Sequence, residues 1–142
     1  MAMNKTQMKL IGIVHTAFYR ASGGKLGRKM RGSEVVLLTT TGRKSGKRRT
    51  SPLFGRADGD SWVVIASNGG HPEHPTWYLN LRDNPDVELH VGAETTRRRA
   101  ETVDGDERTR LWKKMAETYA NYDDYQASTS RVIPVVLLRP AG

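Results

Sequence analysis

The chain has 142 residues, a formal net charge of +8 and no cysteine. This length corresponds to one domain with one core, and the lack of cysteine excludes disulfides, thiolate metal sites and a cysteine nucleophile. The positive charge predicts an anionic partner, which could be nucleic acid, an acidic membrane face or a polyanionic small molecule.

The first predicted element is an amphipathic helix over residues 6–19, which ends before Ser22-Gly23-Gly24. Its apolar stretch, residues 10–18, is much shorter than the ~20 residues that span a bilayer, so we expect a cytoplasmic protein without a transmembrane helix. Several basic residues follow at positions 25–31. They leave two alternatives open for this segment: peripheral contact with an anionic membrane, or a solvated connector.

Short runs rich in β-branched and aliphatic residues predict strands, and glycines separate some of them. The predicted strands are residues 34–41, 49–56, 62–67, 87–91, 95–102 and 134–138. Asp58-Gly59-Asp60 and Gly92-Ala93 are hairpin signals, so the strands they join should be antiparallel.

Two helices are predicted among these strands. One begins near Pro75 and ends at Asn84-Pro85. The other begins at Asp104 with Glu107 as the partner in a capping box, and its apolar face carries Leu111, Met115 and Tyr119. Six strands with two or three helices predict an α+β domain built around a small, mainly antiparallel barrel. We expect a single domain over residues 1–142, with the first helix and connector in 1–24 and the barrel core in 33–140.

The segment LLTTTGRKSGKRRTSPL, residues 37–53, has the composition of an anion-binding loop. It places five basic residues within seven positions, 43–49, between an apolar strand and the next one. Gly42 and Gly46 permit positive φ, so consecutive N–H groups could point at an oxyanion while the Ser45 hydroxyl donates as well. The alternative is a solvated hairpin whose charges protect a sheet edge.

Two further segments could form a pocket. Ala66-Ser67-Asn68-Gly69-Gly70 follows a strand, and its small residues would let a flat ring lie against the backbone, although an ordinary loop has the same composition. Tyr119, Tyr122 and Tyr125 recur at intervals of three, which puts them on one face of a helix as a core seam or the rim of an aromatic pocket. His71 and His74 lack a third ligand nearby, so no metal site is expected.

Three motifs in this order resemble the deazaflavin-dependent nitroreductase family: TTTGRKSGKRRTSPL, VVIASNGGHPEHPTWYLNLRDNPDVELHVG and YANYDDYQASTSRVIPVVLLRP. The similarity extends from Val35 to Pro140. The family consists of actinobacterial-type split β-barrel proteins, related to FMN-binding barrels, that use reduced coenzyme F420. The resemblance therefore implies a single-domain split β-barrel with F420 as its cofactor.

The resemblance also implies site residues. Those expected to bind the coenzyme are Arg43, Lys44, Ser45, Arg49, Thr50, Ser51, Pro52, Leu53, Phe54, Ile65, Ala66, Ser67, Asn68, Thr76, Trp77, Tyr78, Leu79, Asn80 and Tyr122. Those expected to contact the substrate are Phe54, Tyr119, Tyr122 and Tyr125. The family often has lysine in place of Asn68 and can have tyrosine in place of Phe54. Our hypothesis for catalysis is that Ser67 or Tyr122 stabilises the charge that develops on a ring or acceptor oxygen.

The expected activity is transfer of a hydride from the reduced deazaflavin to a quinone, enone or nitroaromatic acceptor. Such an enzyme needs no side-chain nucleophile, since the cofactor carries the chemistry. Three alternatives stay open: an FMN-dependent split-barrel enzyme, a non-enzymatic module that binds anions or nucleic acid, and a coenzyme carrier without turnover. A small-molecule acceptor is the expected partner, without nucleic acid, and the protein is expected to be a monomer or homodimer.

Overall fold

The computed structural model describes residues 29–30 and 33–141. The predicted helix at residues 6–19 and its proposed membrane contact lie outside the described residues. The strands are β1 (Lys29–Met30), β2 (Ser33–Thr41), β3 (Arg48–Asp58), β4 (Ser61–Ile65), β5 (Asp86–Val91), β6 (Glu94–Val103) and β7 (Val135–Pro140). The helices are α1 (Thr76–Asp83), α2 (Gly105–Thr118) and α3 (Asn121–Ala127), and a 3₁₀ turn covers Asn68–Gly70.

Six of the strands form a closed antiparallel barrel. The sheet order is β1-β2-β3-β4-β7-β6-β5, and β5 pairs back onto β2. Every pairing is antiparallel. This arrangement confirms the predicted α+β split barrel, and the six predicted strands are present with ends shifted by one or two residues. The two-residue strand β1 was not predicted.

Both predicted hairpins are confirmed. Gly59 joins β3 to β4 with φ 64° and Gly92 joins β5 to β6 with φ 61°. Glycine adopts this left-handed backbone without the clash that a Cβ atom would introduce. The two tight turns therefore set the antiparallel registers of the neighbouring strands.

The two helices predicted among the strands are also confirmed, although one prediction about the start of α2 is wrong. Asp104 is the residue that precedes α2, but its side chain makes no capping hydrogen bond. The backbone is extended at Asp104, and the chain then enters the helix through Gly105 at φ 58°. The predicted capping box with Glu107 is therefore not formed. Within the described residues, no helix is long and apolar enough to cross a membrane.

The alternation of side chains along the strands produces two apolar clusters. The first fills the barrel interior, where α1 closes it; its main members are Val36, Leu38, Val64, Leu89, Val136, Leu138, Trp77, Tyr78 and Leu81. The second lies between the outer face of β4 and β7 and the helices α2 and α3; its main members are Val63, Ile65, Val135, Leu137, Leu111, Met115 and Tyr122. The helices are thereby fixed at two different places on the barrel.

Candidate active site

The basic loop between β2 and β3 is a closed turn that contacts α1. The Gly42 N–H donates to the Lys47 carbonyl at 2.7 Å, and the Gly46 N–H donates to the Gly42 carbonyl at 2.8 Å. The Arg43 N–H donates to Asn80 Oδ1 at 3.1 Å. The amide of Asn80 in turn donates to Thr40 Oγ1 at 3.3 Å, so this buried side chain joins the loop, α1 and the barrel wall.

These bonds correct the predicted backbone cradle. The N–H groups of Gly42, Arg43 and Gly46 are used within the protein, and the Lys47 N–H donates to Ser45 Oγ at 3.2 Å. The glycines allow the turn to close on itself, since a Cβ on Gly42 would lie 2.6 Å from Ser45 Oγ. An anion at this loop would therefore be bound chiefly by side chains.

The basic side chains of the loop differ in how they are neutralised. Arg48 donates to Thr41 Oγ1 at 2.8 Å and pairs with Glu88 at 3.3 Å. The other basic residues are exposed and make no ion pair or side-chain hydrogen bond with the described residues; they are Arg43, Lys44, Lys47 and Arg49. This set, called the basic cluster below, is available for an anionic ligand.

Strand β3 leads from the basic cluster to an aromatic cluster. Leu53 packs toward the barrel interior, so strand alternation places Thr50, Pro52 and Phe54 on the outer face. There Thr50 Oγ1 lies 2.8 Å from Thr39 Oγ1, and the ring centroid of Phe54 lies 5.2 Å from that of Tyr119. A ligand along this face would meet the side chains of every second residue from 50 to 54.

The three tyrosines form one packed cluster, although not on one face of a single helix as their spacing predicted. Tyr122 and Tyr125 lie on α3, and Tyr119 directly follows α2. The Tyr119 ring centroid lies 5.2 Å from that of Tyr122 and 6.3 Å from that of Tyr125, and the Tyr119 and Tyr125 hydroxyls are 3.1 Å apart. With Phe54 these rings are called the aromatic cluster below.

Tyr122 is the buried member of the aromatic cluster. Its side chain is 4% exposed, and its hydroxyl makes no hydrogen bond with a described residue. Burial raises the pKa of Tyr122 above its ordinary value, and the neighbouring phenols of Tyr119 and Tyr125 raise it further. The hydroxyl therefore stays protonated and can donate a hydrogen bond.

The glycine loop, residues 66–70, packs directly against α3. A Cβ on Gly70 would lie 2.4 Å from Ser128 Oγ and 3.3 Å from the Tyr125 Cα. The backbone of this loop has positive φ at Asn68, Gly69 and Gly70. The structure thus places the glycine loop against α3, although the sequence analysis predicted no contact between these two segments.

Within the glycine loop, two polar side chains are disposed differently. The Asn68 amide donates to the Glu73 carbonyl at 2.9 Å, so it is bound within the same segment. Ser67 is half-buried, and its hydroxyl makes no hydrogen bond with a described residue. Ile65, just before the loop, packs in the outer cluster with Tyr122, whereas Ala66 faces the barrel interior.

Helix α1 places its predicted site residues on different sides. The rings of Trp77 and Tyr78 pack in the barrel core, and the Tyr78 hydroxyl lies 2.9 Å from Thr102 Oγ1. Thr76 is exposed and Leu79 is half-buried. Only Asn80 of this helix is joined to the basic loop by a hydrogen bond. A coenzyme wall formed by the other four stays a prediction.

Sequence reasoning missed Arg131, whose side chain is hydrogen-bonded to the backbone of the glycine loop. Its guanidinium donates to the carbonyls of Ser67 at 2.7 Å, His71 at 2.9 Å and Ala66 at 3.3 Å. It also approaches His74 Nδ1 at 3.2 Å. Arg131 lies within the third motif, but its role gives no local signal, because its partners lie about 60 residues earlier in the chain. No group of three metal-ligating side chains occurs among the described residues.

This chain is similar to known proteins in both sequence and fold. An F420H(2)-dependent quinone reductase of Mycobacterium tuberculosis is 43% identical over 130 residues, which cover 88% of this chain and 87% of the relative. A solved F420-H2 dependent reductase is 42% identical with a TM-score of 0.69, covering 74% of this chain and 93% of its own. A solved domain-swapped dimer is 36% identical with a TM-score of 0.72, covering 89% and 97%.

The family match refines the family named from the sequence motifs. The motifs suggested deazaflavin-dependent nitroreductases, whereas a sequence model described as F420H(2)-dependent quinone reductase matches residues 13–140. The fold and the coenzyme are the ones expected, and the nitroaromatic acceptor stays a prediction. Because the match covers nearly the whole chain, this protein belongs to the F420H(2)-dependent quinone reductase family of oxidoreductases.

Proposed function

We propose that this protein binds coenzyme F420 with its anionic end at the β2–β3 loop and its ring at the outer face of β3, and transfers a hydride from the reduced coenzyme to a quinone. The observation that carries the proposal is the placement of the basic cluster and the aromatic cluster toward opposite ends of β3. Arg49 and Phe54 are separated by roughly 17 Å along the strand, at about 3.4 Å per residue. F420 has the same polarity, since it carries a flat ring at one end and a phosphate with an acidic tail at the other.

The basic cluster fits the anionic end of the coenzyme. Arg43 and Arg49 offer planar forks that match a phosphate or carboxylate, and Lys44 and Lys47 act as mobile point charges. All four are exposed, and their side chains bind no other described residue, so no existing ion pair has to break when an anion binds. A single phosphate would leave part of this charge unused, which favours F420 over FMN.

Near the aromatic cluster, the protein offers hydrogen-bond donors for the coenzyme ring and for the quinone acceptor. When bound, the reduced coenzyme supplies the hydride, and the protein has to position both partners and exclude water. The Tyr122 hydroxyl is protonated and not bonded to a described residue, and the hydroxyl of the half-buried Ser67 makes no hydrogen bond with one either. We propose that one of them donates to the oxygen on which negative charge develops, as donors do in an oxyanion hole.

A fluorescence titration tests the coenzyme site. Trp112 is a suitable reporter because its ring centroid lies 6.3 Å from that of Tyr122. We expect F420 to quench tryptophan fluorescence saturably and FMN to bind more weakly. Lys44→Ala should weaken F420 binding roughly tenfold, because a charge-assisted hydrogen bond contributes about 1.5–3 kcal/mol.

The matched control is Lys113→Ala, which removes the same charge from an exposed position on α2. It should leave F420 affinity unchanged. Equal affinities of the two variants, or tighter binding of FMN than of F420, would refute the proposed site. Oxidation of reduced F420 by menadione, followed by absorbance, then tests turnover and separates an enzyme from a coenzyme carrier.

The finer expectations on partners are separate proposals. Enone and nitroaromatic acceptors can be ranked against menadione by kcat/KM, and light scattering distinguishes a monomer from a homodimer. Membrane contact through residues 6–19 is tested by co-sedimentation with anionic vesicles, with a chain that lacks residues 1–24 as the comparison. Equal sedimentation of the two chains would end the membrane proposal.

A further inference from the structure

We propose that Arg131 is a positioning residue that holds residues 66–74 in the conformation the active site requires. It lies ahead of β7 and, through one guanidinium group, contacts both ends of that segment: Ala66 and Ser67 at its start, and His71 and His74 toward its end. Its effect on catalysis rests on the function proposed above, whereas its effect on the loop does not.

Arginine is suited to this role because its planar group presents five N–H donors in a fixed arrangement. Three of the acceptors are backbone carbonyls, which have no means of relocating unless the loop itself moves. Burial lowers the pKa of Arg131, yet an arginine remains charged in proteins. Each of these bonds is therefore charge-assisted, and such bonds are about twice as strong as neutral ones.

His74 completes the arrangement as a hydrogen-bond acceptor. Burial lowers the pKa of His74, and the positive charges of Arg131 and Arg82 lower it further. The imidazole is therefore neutral near pH 7 and can accept the Arg131 N–H at Nδ1. The His74 ring also packs against Tyr78, with centroids 4.9 Å apart, which anchors the far end of the segment to α1.

Arg131 is itself fixed to the tyrosine helix. Gln126, on α3, donates through Nε2 to the Arg131 carbonyl at 2.7 Å and accepts the Ile133 N–H through Oε1 at 2.9 Å. The same helix carries Tyr122 and Tyr125. Gln126 and Arg131 thus connect α3, which carries two rings of the aromatic cluster, to the glycine loop. Both parts of the proposed site for the coenzyme ring are therefore held by the same hydrogen-bond network.

The bonds to the Ala66 and Ser67 carbonyls also orient the N–H groups of the same two peptide units, those of Ser67 and Asn68. In a trans peptide the N–H points opposite to the C=O, so the N–H groups of Ser67 and Asn68 are turned away from Arg131. Neither N–H has a hydrogen-bond partner among the described residues. With the Ser67 hydroxyl they form a set of donors whose direction depends on Arg131, although Arg131 itself contacts no reacting atom.

The test compares Arg131→Met and Arg131→Lys with a control, Arg98→Met. Arg98 also donates to two backbone carbonyls, those of Asp60 and Leu138, but it lies on β6, away from the loop. Amide hydrogen exchange of residues 66–74, F420 affinity and the steady-state constants with menadione are measured for each full-length variant.

We expect Arg131→Met to speed exchange in residues 66–74 and to lower kcat per bound coenzyme at least tenfold, because small displacements in a reacting pair are costly. F420 affinity should stay within about threefold, because the basic cluster holds the anionic end. Arg131→Lys should recover part of kcat, since it retains the charge without the planar fork. Arg98→Met should change neither loop exchange nor kcat.

The inference is overturned if Arg131→Met keeps the wild-type kcat, or if both methionine variants lose kcat and coenzyme affinity to the same extent. The second result would indicate general destabilisation. Failure of the wild-type chain to bind F420 would instead refute the proposed function. In that case faster exchange in Arg131→Met than in Arg98→Met still supports the loop assignment, and equal exchange rejects it.

Discussion

Replacing Gly70 with alanine would test whether the glycine loop has to touch the tyrosine helix. The Gly70 backbone has φ 83°, and the added Cβ would lie 2.4 Å from Ser128 Oγ and 3.3 Å from both Cα and the carbonyl oxygen of Tyr125. The serine hydroxyl can rotate away, but the Tyr125 backbone belongs to α3 and cannot. The loop would therefore have to move off the helix or compress against it.

The expected cost has two parts. A left-handed backbone costs a residue with a Cβ roughly 1–2 kcal/mol relative to glycine. Overpacking against a fixed neighbour adds roughly 1–3 kcal/mol. Gly69→Ala is the matched control, because Gly69 has φ 61° and nothing lies within 4 Å of its added Cβ. It should incur the first cost alone, and the gain from a less flexible unfolded chain is common to both variants.

Urea unfolding at equilibrium measures the difference. Gly70→Ala should be less stable than Gly69→Ala by about 1–3 kcal/mol. Adding Ser128→Ala to Gly70→Ala removes the nearest clashing atom and should recover part of that difference. Equal free energies of unfolding for Gly69→Ala and Gly70→Ala would refute the reasoning, because the contact with α3 would then have no energetic consequence.

Three further predictions concern side chains. Ser67→Ala and Tyr122→Phe should each lower kcat more than they lower F420 affinity, and unchanged turnover in both would remove them from catalysis. Because the pKa of His74 is lowered in the folded state, the unfolded state binds its proton first as pH falls below 6.5, so wild-type stability should decline there more than that of His74→Gln. A matching decline in both proteins would contradict this. The pKa of Asp58 lies well below 3.8, first because Arg110 donates to its carboxylate, so Asp58 stabilises the fold above that pH and loses this effect in acid. Asp58→Asn should lower the free energy of unfolding at pH 7 by about 1 kcal/mol, and no loss at pH 7 would argue against the pair.

Local patterns in the sequence were sufficient for the barrel strands. Alternation and β-branched composition identified the six strands, and Gly59 and Gly92 marked the hairpins, because each of these signals depends on neighbouring residues. The capping box at Asp104 failed for a local reason as well. Gly105 adopts φ 58° and alters the entry into α2, and a sequence motif does not specify which residue takes that conformation.

The candidate site was predictable in composition but not in its hydrogen bonding. The basic residues of the β2–β3 loop and the tyrosine spacing were visible in the sequence. That the Arg43 N–H would donate to Asn80 rather than to an anion depends on the packing of α1 against the loop, which no local pattern encodes. Arg131 is the extreme case, since its acceptors become neighbours only when β4 and β7 pair.

The way the barrel closes has a consequence for folding. β2 pairs with β3 from Glu34 to Thr41 across a short turn, but with β5 only at Leu37, Leu38 and Thr39. The β2–β5 contact joins residues about 50 positions apart, so it orders a long stretch of chain for few ladder bonds. We expect this seam to form late in folding and to separate first under denaturant. Non-local pairing is slow, and here few hydrogen bonds offset the entropy lost in closing the long loop. Of residues 37–39 and 88–90, the amides that bond across this seam should therefore exchange with solvent before the amides that bond between β2 and β3.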